Sequence, residues 1–183
     1  MNVELLVGVG GMLGASFKWV YEYSKSLKWQ KNKFLIEQLD SFKQLESTKA
    51  METILDWNAA KVTFEDKKIY VNDDLLKESL YTHDIKKKFT TDEFVIRDII
   101  DSYFDSLTRF VLFCEHGLVP KESLILQMNY WFNILKGNTS KSKSREIVEM
   151  FDKYMEYYGW CSKPQFILPK KNKSTIPITT YPN

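Results

Sequence analysis

Asp98, Asp101 and Asp105 recur along one predicted helix at positions i, i+3 and i+7, a spacing that places them on one face. Carboxylates stacked in this way can hold a divalent cation or act as an acid and base pair. Arg97 lies four residues before Asp101. Arg109 lies four residues after Asp105, and two i,i+4 ion pairs explain these charges more simply. We therefore interpret these charged residues as part of a polar network. The candidate members of this network are Asp56, Arg97, Asp98, Asp101, Asp105 and Arg109.

The histidines and cysteines offer little further chemistry. His83 lies beside a run of lysines and His116 lies at a predicted helix end, where capping explains it. Nucleophilic catalysis needs a base beside the nucleophile, and neither histidine has that setting. Cys114 and Cys161 lack the spacing of a zinc site, and no Glu-x-x-His pattern accompanies the carboxylates. We predict no catalytic residue, no metal and no cofactor.

Lys86, Lys87 and Lys88 form a compact basic run just before the long helix. The run can contact a phosphate group, although most charge runs are solvated surface. The chain as a whole carries 26 basic and 24 acidic residues, a balance that excludes a protein whose entire surface binds nucleic acid. No phosphate-binding loop, nucleophile elbow, kinase signature or protease signature occurs. Nucleotide or nucleic acid therefore stays an alternative partner, with the three lysines as candidate phosphate contacts.

The N-terminal segment predicts a membrane anchor. Residues 5–17 are uncharged, and extension to residues 3–21 adds only Glu4 and Lys18. A helix of that length spans roughly 28 Å, close to the roughly 30 Å core of a bilayer. Lys18 can extend to the membrane surface, where Trp19 and Tyr21 also favour the interface. The alternatives are a buried core helix and a signal peptide, and the latter lacks its preceding positive charge.

Small residues on the anchor favour self-association. Gly10 and Gly14, beside Gly11 and Ala15, form a face on which helices can pack closely in a bilayer. Lysines follow the anchor at positions 18, 25, 28, 31 and 33, with Glu22 as the single acid among them. The positive-inside rule then places the N-terminus outside and the remaining chain in the cytoplasm, as a single-pass protein of the inner membrane. The same basic stretch can bind anionic lipid.

The rest of the chain predicts a mainly α fold, an irregular helical bundle with one small β-hairpin. The composition, 44% hydrophobic and 27% charged residues, is typical of a globular domain. Apolar periodicity predicts helices over residues 24–46, continuous with the anchor, and over residues 48–58. Two short strands around a four-residue turn at 65–68 predict the hairpin.

Capping residues divide the remaining sequence into helices. Asn72 or Asp73 begins a short helix, and Thr90 with Glu93 forms a capping box that opens a long helix to about His116. Two more helices follow, over about residues 120–136 and 142–159. Most of the prolines come after them. The predicted domains are the anchor (1–22), a cytoplasmic helical domain (23–161) and an extended Pro- and Lys-rich tail (162–183).

Several short motifs between residues 15 and 160 resemble a family of uncharacterised bacterial membrane-anchored helical proteins. The motifs are Leu55-Asp56-Trp57-Asn58, Phe89-Thr90-x-x-Glu93, Ile96-Arg97-Asp98, Asp101-x-x-Phe104-Asp105-x-Leu107-x-Arg109-Phe110, Gly117-Leu118-Val119, Tyr130-Trp131 and Tyr157-Tyr158-Gly159. The resemblance implies the anchor and the helical fold rather than an activity. The tail, from Trp160 onward, departs from the family pattern.

Two classes of function follow from these features. The first is a non-enzymatic, membrane-tethered regulatory or scaffold module that self-associates through its anchor and binds a protein partner through its helical domain. The second is a membrane effector that responds to a nucleotide or nucleic acid, as in antiviral defence. A hydrolase that uses the carboxylate face is a distant third hypothesis.

Overall fold

The computed structural model describes residues 3–82 and 87–159, and their side chains from residue 18 onward. Within these residues the mainly α prediction with one small hairpin is confirmed. The elements are α1 (Val3–Gln44), α2 (Glu46–Asp56), β1 (Ala59–Phe64), β2 (Lys67–Asn72), α3 (Asp73–Ser79), α4 (Thr91–Glu115), α5 (Lys121–Leu135) and α6 (Arg145–Tyr157). Several predicted features lie outside the described residues: the side chains of Gly10, Gly11, Gly14 and Ala15, and residues His83, Lys86, Cys161 and 162–183.

Helix α1 joins the predicted anchor to the domain without a break, as the sequence predicts. Its second half packs against the domain through Leu35, Leu39 and Phe42, which are all buried. Among the described residues, no helix is long and apolar enough to span a bilayer. The uncharged run at 5–17 belongs to the part of α1 whose side chains the structure does not describe.

Helix α4 forms the centre of the core. Its buried residues Ile96, Ile99, Ile100 and Tyr103 recur at helical spacing, so that one side of α4 faces the other elements. Phe42 of α1 packs against Tyr103, with ring centroids 5.4 Å apart. Full burial of each such apolar side chain stabilises the fold by roughly 1.5–3 kcal/mol.

The ends of α4 follow the predicted signals. The Thr90 hydroxyl accepts a hydrogen bond from the Glu93 backbone N–H at 3.3 Å, and the Glu93 carboxylate accepts one from the Thr90 N–H at 2.8 Å. This reciprocal pair is the predicted capping box. At the other end Gly117 adopts a φ of 66°, a left-handed conformation that stops the helix and that a side chain would strain.

The hairpin differs from the prediction in its turn. The strands pair in antiparallel register up to Phe64 opposite Lys67, so the turn has two residues instead of four. Glu65 and Asp66 have positive φ values of 48° and 64°, the backbone of a tight hairpin turn. The Glu65 N–H donates to a carboxylate oxygen of Glu46 at 3.1 Å, which anchors the turn to α2. The sequence did not predict a two-residue turn because no glycine marks it.

Candidate functional site

The segment of α1 at residues 18–31, named here the collar, stands clear of the domain. Every residue in it is exposed, whereas buried positions begin at Leu35. All four of its aromatic residues are more than half exposed: Trp19 at 68%, Tyr21 at 66%, Tyr23 at 54% and Trp29 at 63%. The collar therefore presents large rings on a helix that nothing else in the described part of the chain covers.

Rings and lysines alternate along the collar. Trp19 stacks on Tyr23 with centroids 5.5 Å apart and planes 8° from parallel. The Lys33 ammonium, just past the collar, lies 5.5 Å from the centroid of the Trp29 ring. Lys18, the predicted interfacial lysine, is exposed at the start of the collar. Amphipathic rings beside lysines are typical of segments that bind a membrane interface. The rings lie among the lipid headgroups, and the ammonium groups contact lipid phosphate.

The predicted ion pair between Arg97 and Asp101 is wrong. Arg97 is only 3% exposed, and its guanidinium donates to the backbone carbonyls of Ser79 at 2.7 Å and Tyr81 at 2.6 Å. A further hydrogen bond, at 2.8 Å, runs to the hydroxyl of Tyr158. The carbonyls at the end of a helix have no partner within it, and a buried guanidinium satisfies them. Arg97 thus caps α3 instead of pairing along α4.

Aromatic rings complete the environment of Arg97. Its guanidinium carbon lies 4.5 Å from the centroid of the Phe89 ring and 5.0 Å from that of Tyr154. Tyr154 in turn donates its hydroxyl proton to Asp101 at 2.8 Å. Burial raises the pKa of Asp101, the charges of Asp98 and Asp105 act in the same direction, and together these effects outweigh the Tyr154 hydrogen bond and the Arg97 charge. Arg97 and Asp101 therefore belong to one cluster, but they meet through Tyr154.

Of the other predicted members of the network, Asp98 and Asp105 act on Asp101 through their charges. Asp98, Asp105 and Arg109 are exposed, and the predicted Asp105–Arg109 pair is wrong because the two described side chains form no ion pair. Asp56 accepts a hydrogen bond from the hydroxyl of Tyr130 on α5. Across the described side chains, no group of three or more His, Cys, Asp or Glu residues converges in a way that could hold a metal ion.

The lysine run is divided by the fold. The Lys87 ammonium binds the Glu78 carboxylate, the Glu78 carbonyl at 2.9 Å and a carboxylate oxygen of Glu93 at 3.2 Å. Burial opposes the charge of Lys87, yet these hydrogen bonds outweigh it and raise the pKa of the side chain. Lys87 is thus engaged by Glu78 and Glu93 within the domain, and its role as a phosphate contact stays a prediction. Lys88 is exposed, and Lys86 lies outside the described residues.

Sequence reasoning missed a buried lysine at the start of α6. The Lys143 ammonium donates to the Trp57 carbonyl at 2.5 Å and to the Asp73 carboxylate at 2.7 Å, and its side chain is 3% exposed. It thereby joins the end of α2 to the first turn of α3. A lysine immediately before the helix cap Ser144 reads as solvated surface, so no local signal marked it.

Together these contacts define a capping cluster of Lys87, Arg97 and Lys143. Each cation donates to a backbone carbonyl at or near the end of a short helix, α3 for the first two and α2 for the third. The arrangement stabilises helix ends and offers no converging nucleophile and base. No protein-family model, no curated protein and no solved structure matches this chain.

Proposed function

We propose that the chain is a non-enzymatic scaffold or regulatory module tethered to a membrane by residues 1–22, with its helical domain in the cytoplasm. The exposed collar is the observation that carries this proposal. Large rings in water are disfavoured, whereas a bilayer interface accepts them. Each lysine held near an anionic surface adds about 1 kcal/mol of attraction.

The position of the collar supports the same function. It directly follows the uncharged run at 5–17 on one continuous helix. A helix that crosses a bilayer through that run would bring Lys18, Trp19 and Tyr21 to its surface. The domain begins to bury its residues at Leu35, and it would then stand off the membrane on the remainder of α1.

Cell fractionation tests the tether. The full chain is expected in the membrane pellet after an alkaline wash. A variant without residues 1–21 is expected in the supernatant, with its helical circular dichroism retained. An unchanged membrane fraction for the shortened variant, or a full chain that washes off, would contradict the proposal.

Quenching of tryptophan fluorescence by brominated lipids tests the collar itself. In vesicles that contain anionic brominated lipid, the reconstituted full chain is expected to be quenched. The Trp19→Phe variant should lose part of that quenching because Trp19 lies in the collar. Trp57→Phe is the matched control, since Trp57 is 63% exposed but lies at the end of α2. Equal loss in both variants would rule out a specific role for the collar.

Self-association through the anchor is the second part of the proposal. Bulk at Gly10 or Gly14 would separate two helix backbones that pack on this face. Gly10→Ile and Gly14→Ile are therefore expected to lower the particle mass in detergent. Ser16→Ile is the control, because helical periodicity places residue 16 on the side of the helix away from Gly10 and Gly14. An unchanged mass in all three variants would exclude the glycine face as the interface.

The nucleotide-responsive alternative depends on the lysine run. Lys87 is bound to Glu78 and Glu93, so Lys88 is the described member of the run that stays exposed for a phosphate. We keep the scaffold function as the conclusion because the exposed collar supplies a surface that can bind a membrane.

A further inference from the structure

A pocket between α1 and α4 has the features of a ligand site. Its volume is about 100 Å³. Phe42, Phe110 and Phe113 form its floor, where the first two rings meet edge to face at 5.5 Å. Its other lining residues are Gln38, Ser41, Leu45, Ser106 and Arg109. An aromatic floor with polar groups around it is the usual composition of a small-molecule site.

Three donors of this pocket have no partner within the described part of the chain. They are the Gln38 amide, the Ser106 hydroxyl and the Arg109 guanidinium, none of which forms a hydrogen bond or ion pair there. Arg109 lines the pocket and does not pair with Asp105, one turn earlier on α4. No carboxylate is among the lining residues. The pocket thus offers hydrogen-bond donors and a positive charge, and none of its lining residues carries a negative charge.

We propose that this pocket binds a small monocarboxylate with a short aliphatic body. The planar guanidinium of an arginine matches a carboxylate through two parallel hydrogen bonds. Ser106 and Gln38 can donate further hydrogen bonds to the same group, while the phenylalanine floor contacts the aliphatic part. A cavity of about 150 Å³ holds benzene, so a pocket of 100 Å³ fits a body of roughly three to five carbons.

Ligand binding here would bridge α1 and α4. The pocket takes Gln38, Ser41 and Phe42 from α1, the helix that also carries the collar, and Leu45 from the junction between α1 and α2. The remaining lining residues come from α4, the centre of the core. An occupied pocket therefore holds the last turns of α1 more firmly against α4. The proposal rests on the pocket alone and does not depend on the membrane tether.

Titration of the full chain with butyrate tests the proposal, followed by NMR shifts of phenylalanine ring signals. Saturable shifts at roughly millimolar butyrate are expected, because the ligand is small and the pocket is half open. Butanol lacks the negative charge and therefore tests whether binding needs it. Inorganic phosphate lacks the aliphatic body and tests whether binding needs that part. Each should bind at least about tenfold more weakly. Equal binding of butanol, or tighter binding of phosphate, would overturn the assignment.

Two arginine variants locate the site. Arg109→Gln is expected to weaken butyrate binding about tenfold or more, through loss of the charge-assisted pair. Arg145→Gln removes the same charge from an exposed position on α6 and should leave the affinity unchanged. Circular dichroism checks that both variants keep the fold. Butyrate shifts that persist undiminished in Arg109→Gln would overturn the proposal.

Discussion

The guanidinium of Arg97 donates a 2.8 Å hydrogen bond to the phenol oxygen of Tyr158, 61 residues further along the chain. The same side chain holds the carbonyls of Ser79 and Tyr81. One buried cation on α4 therefore connects the end of α3 with the end of α6.

Loss of this cation is expected to destabilise the domain strongly. Arg97→Met should lower the free energy of unfolding by about 2–4 kcal/mol, because it leaves buried carbonyls without a donor. Tyr158→Phe should cost about 1 kcal/mol, and the two changes should couple in a double-mutant cycle. Urea unfolding of the full chain in mild detergent measures these values. Arg109→Met, at an exposed position, is the control, and an equal cost for both arginines would contradict the capping role.

Lys143 should matter far more than the neighbouring lysine. Lys143→Met leaves the Trp57 carbonyl and the Asp73 carboxylate without their shared donor, at an expected cost of about 2–4 kcal/mol. Lys141→Met, two residues earlier and exposed, should change stability by less than about 0.5 kcal/mol. Thermal unfolding compares the two variants. A cost below about 1 kcal/mol for Lys143→Met would show that solvent replaces the lysine.

The three carboxylates of α4 should respond differently to truncation. Asp101→Ala removes the acceptor of the Tyr154 hydroxyl and is expected to cost about 1–2 kcal/mol. Asp98→Ala and Asp105→Ala, both exposed, should lie within about 0.5 kcal/mol of the unmodified protein. Chemical unfolding of the three variants tests this order. A similar cost at all three positions would point to one cooperative acidic site.

Asp101→Asn gives the pH signature of the same carboxylate. Since burial raises the pKa of Asp101 in the folded protein, its stabilisation of the fold is fully present below the unfolded-state pKa of about 3.9. This stabilisation is lost as the pH rises through the higher pKa of the folded state. An asparagine can still accept from Tyr154 without carrying a charge. We therefore expect Asp101→Asn to flatten the decline in stability above that pH, as measured by unfolding across pH 3–7. A steeper decline in the variant would refute this.

Glu93 should show the opposite dependence. Burial disfavours its charge, but the Thr90 hydrogen bonds and Lys87 outweigh that effect and hold the pKa of Glu93 below its ordinary value of 4.5. Its stabilisation is present above that value and is lost as pH falls through the lower folded pKa. Glu93→Gln should therefore make the acid limb of the stability curve shallower. Glu122→Gln, in the first turn of α5, is the control and should change the limb less.

Local features of the fold could be read from the sequence because they depend on neighbouring residues. The capping box of Thr90 with Glu93, the Asn72 cap and the left-handed Gly117 each involve groups within a few positions of one another. Helical periodicity likewise predicted the buried side of α4. The two-residue turn at Glu65 and Asp66 was not predicted, because no glycine marks its positive φ values and a contact from α2 supports it instead.

The partners of the charged residues were decided only by the tertiary structure. The i,i+4 rule predicted Arg97 with Asp101, yet the end of α3 offered Arg97 buried carbonyls, and its guanidinium donates to these instead of to the partly buried Asp101 carboxylate. Lys143 finds its partners 70 and 86 residues away, a separation that no local pattern can encode. The α1–α4 pocket arises for the same reason, since its floor and donors come from two helices distant in sequence. Sequence thus determined the helices and their caps, while packing chose which charges are buried and which remain exposed.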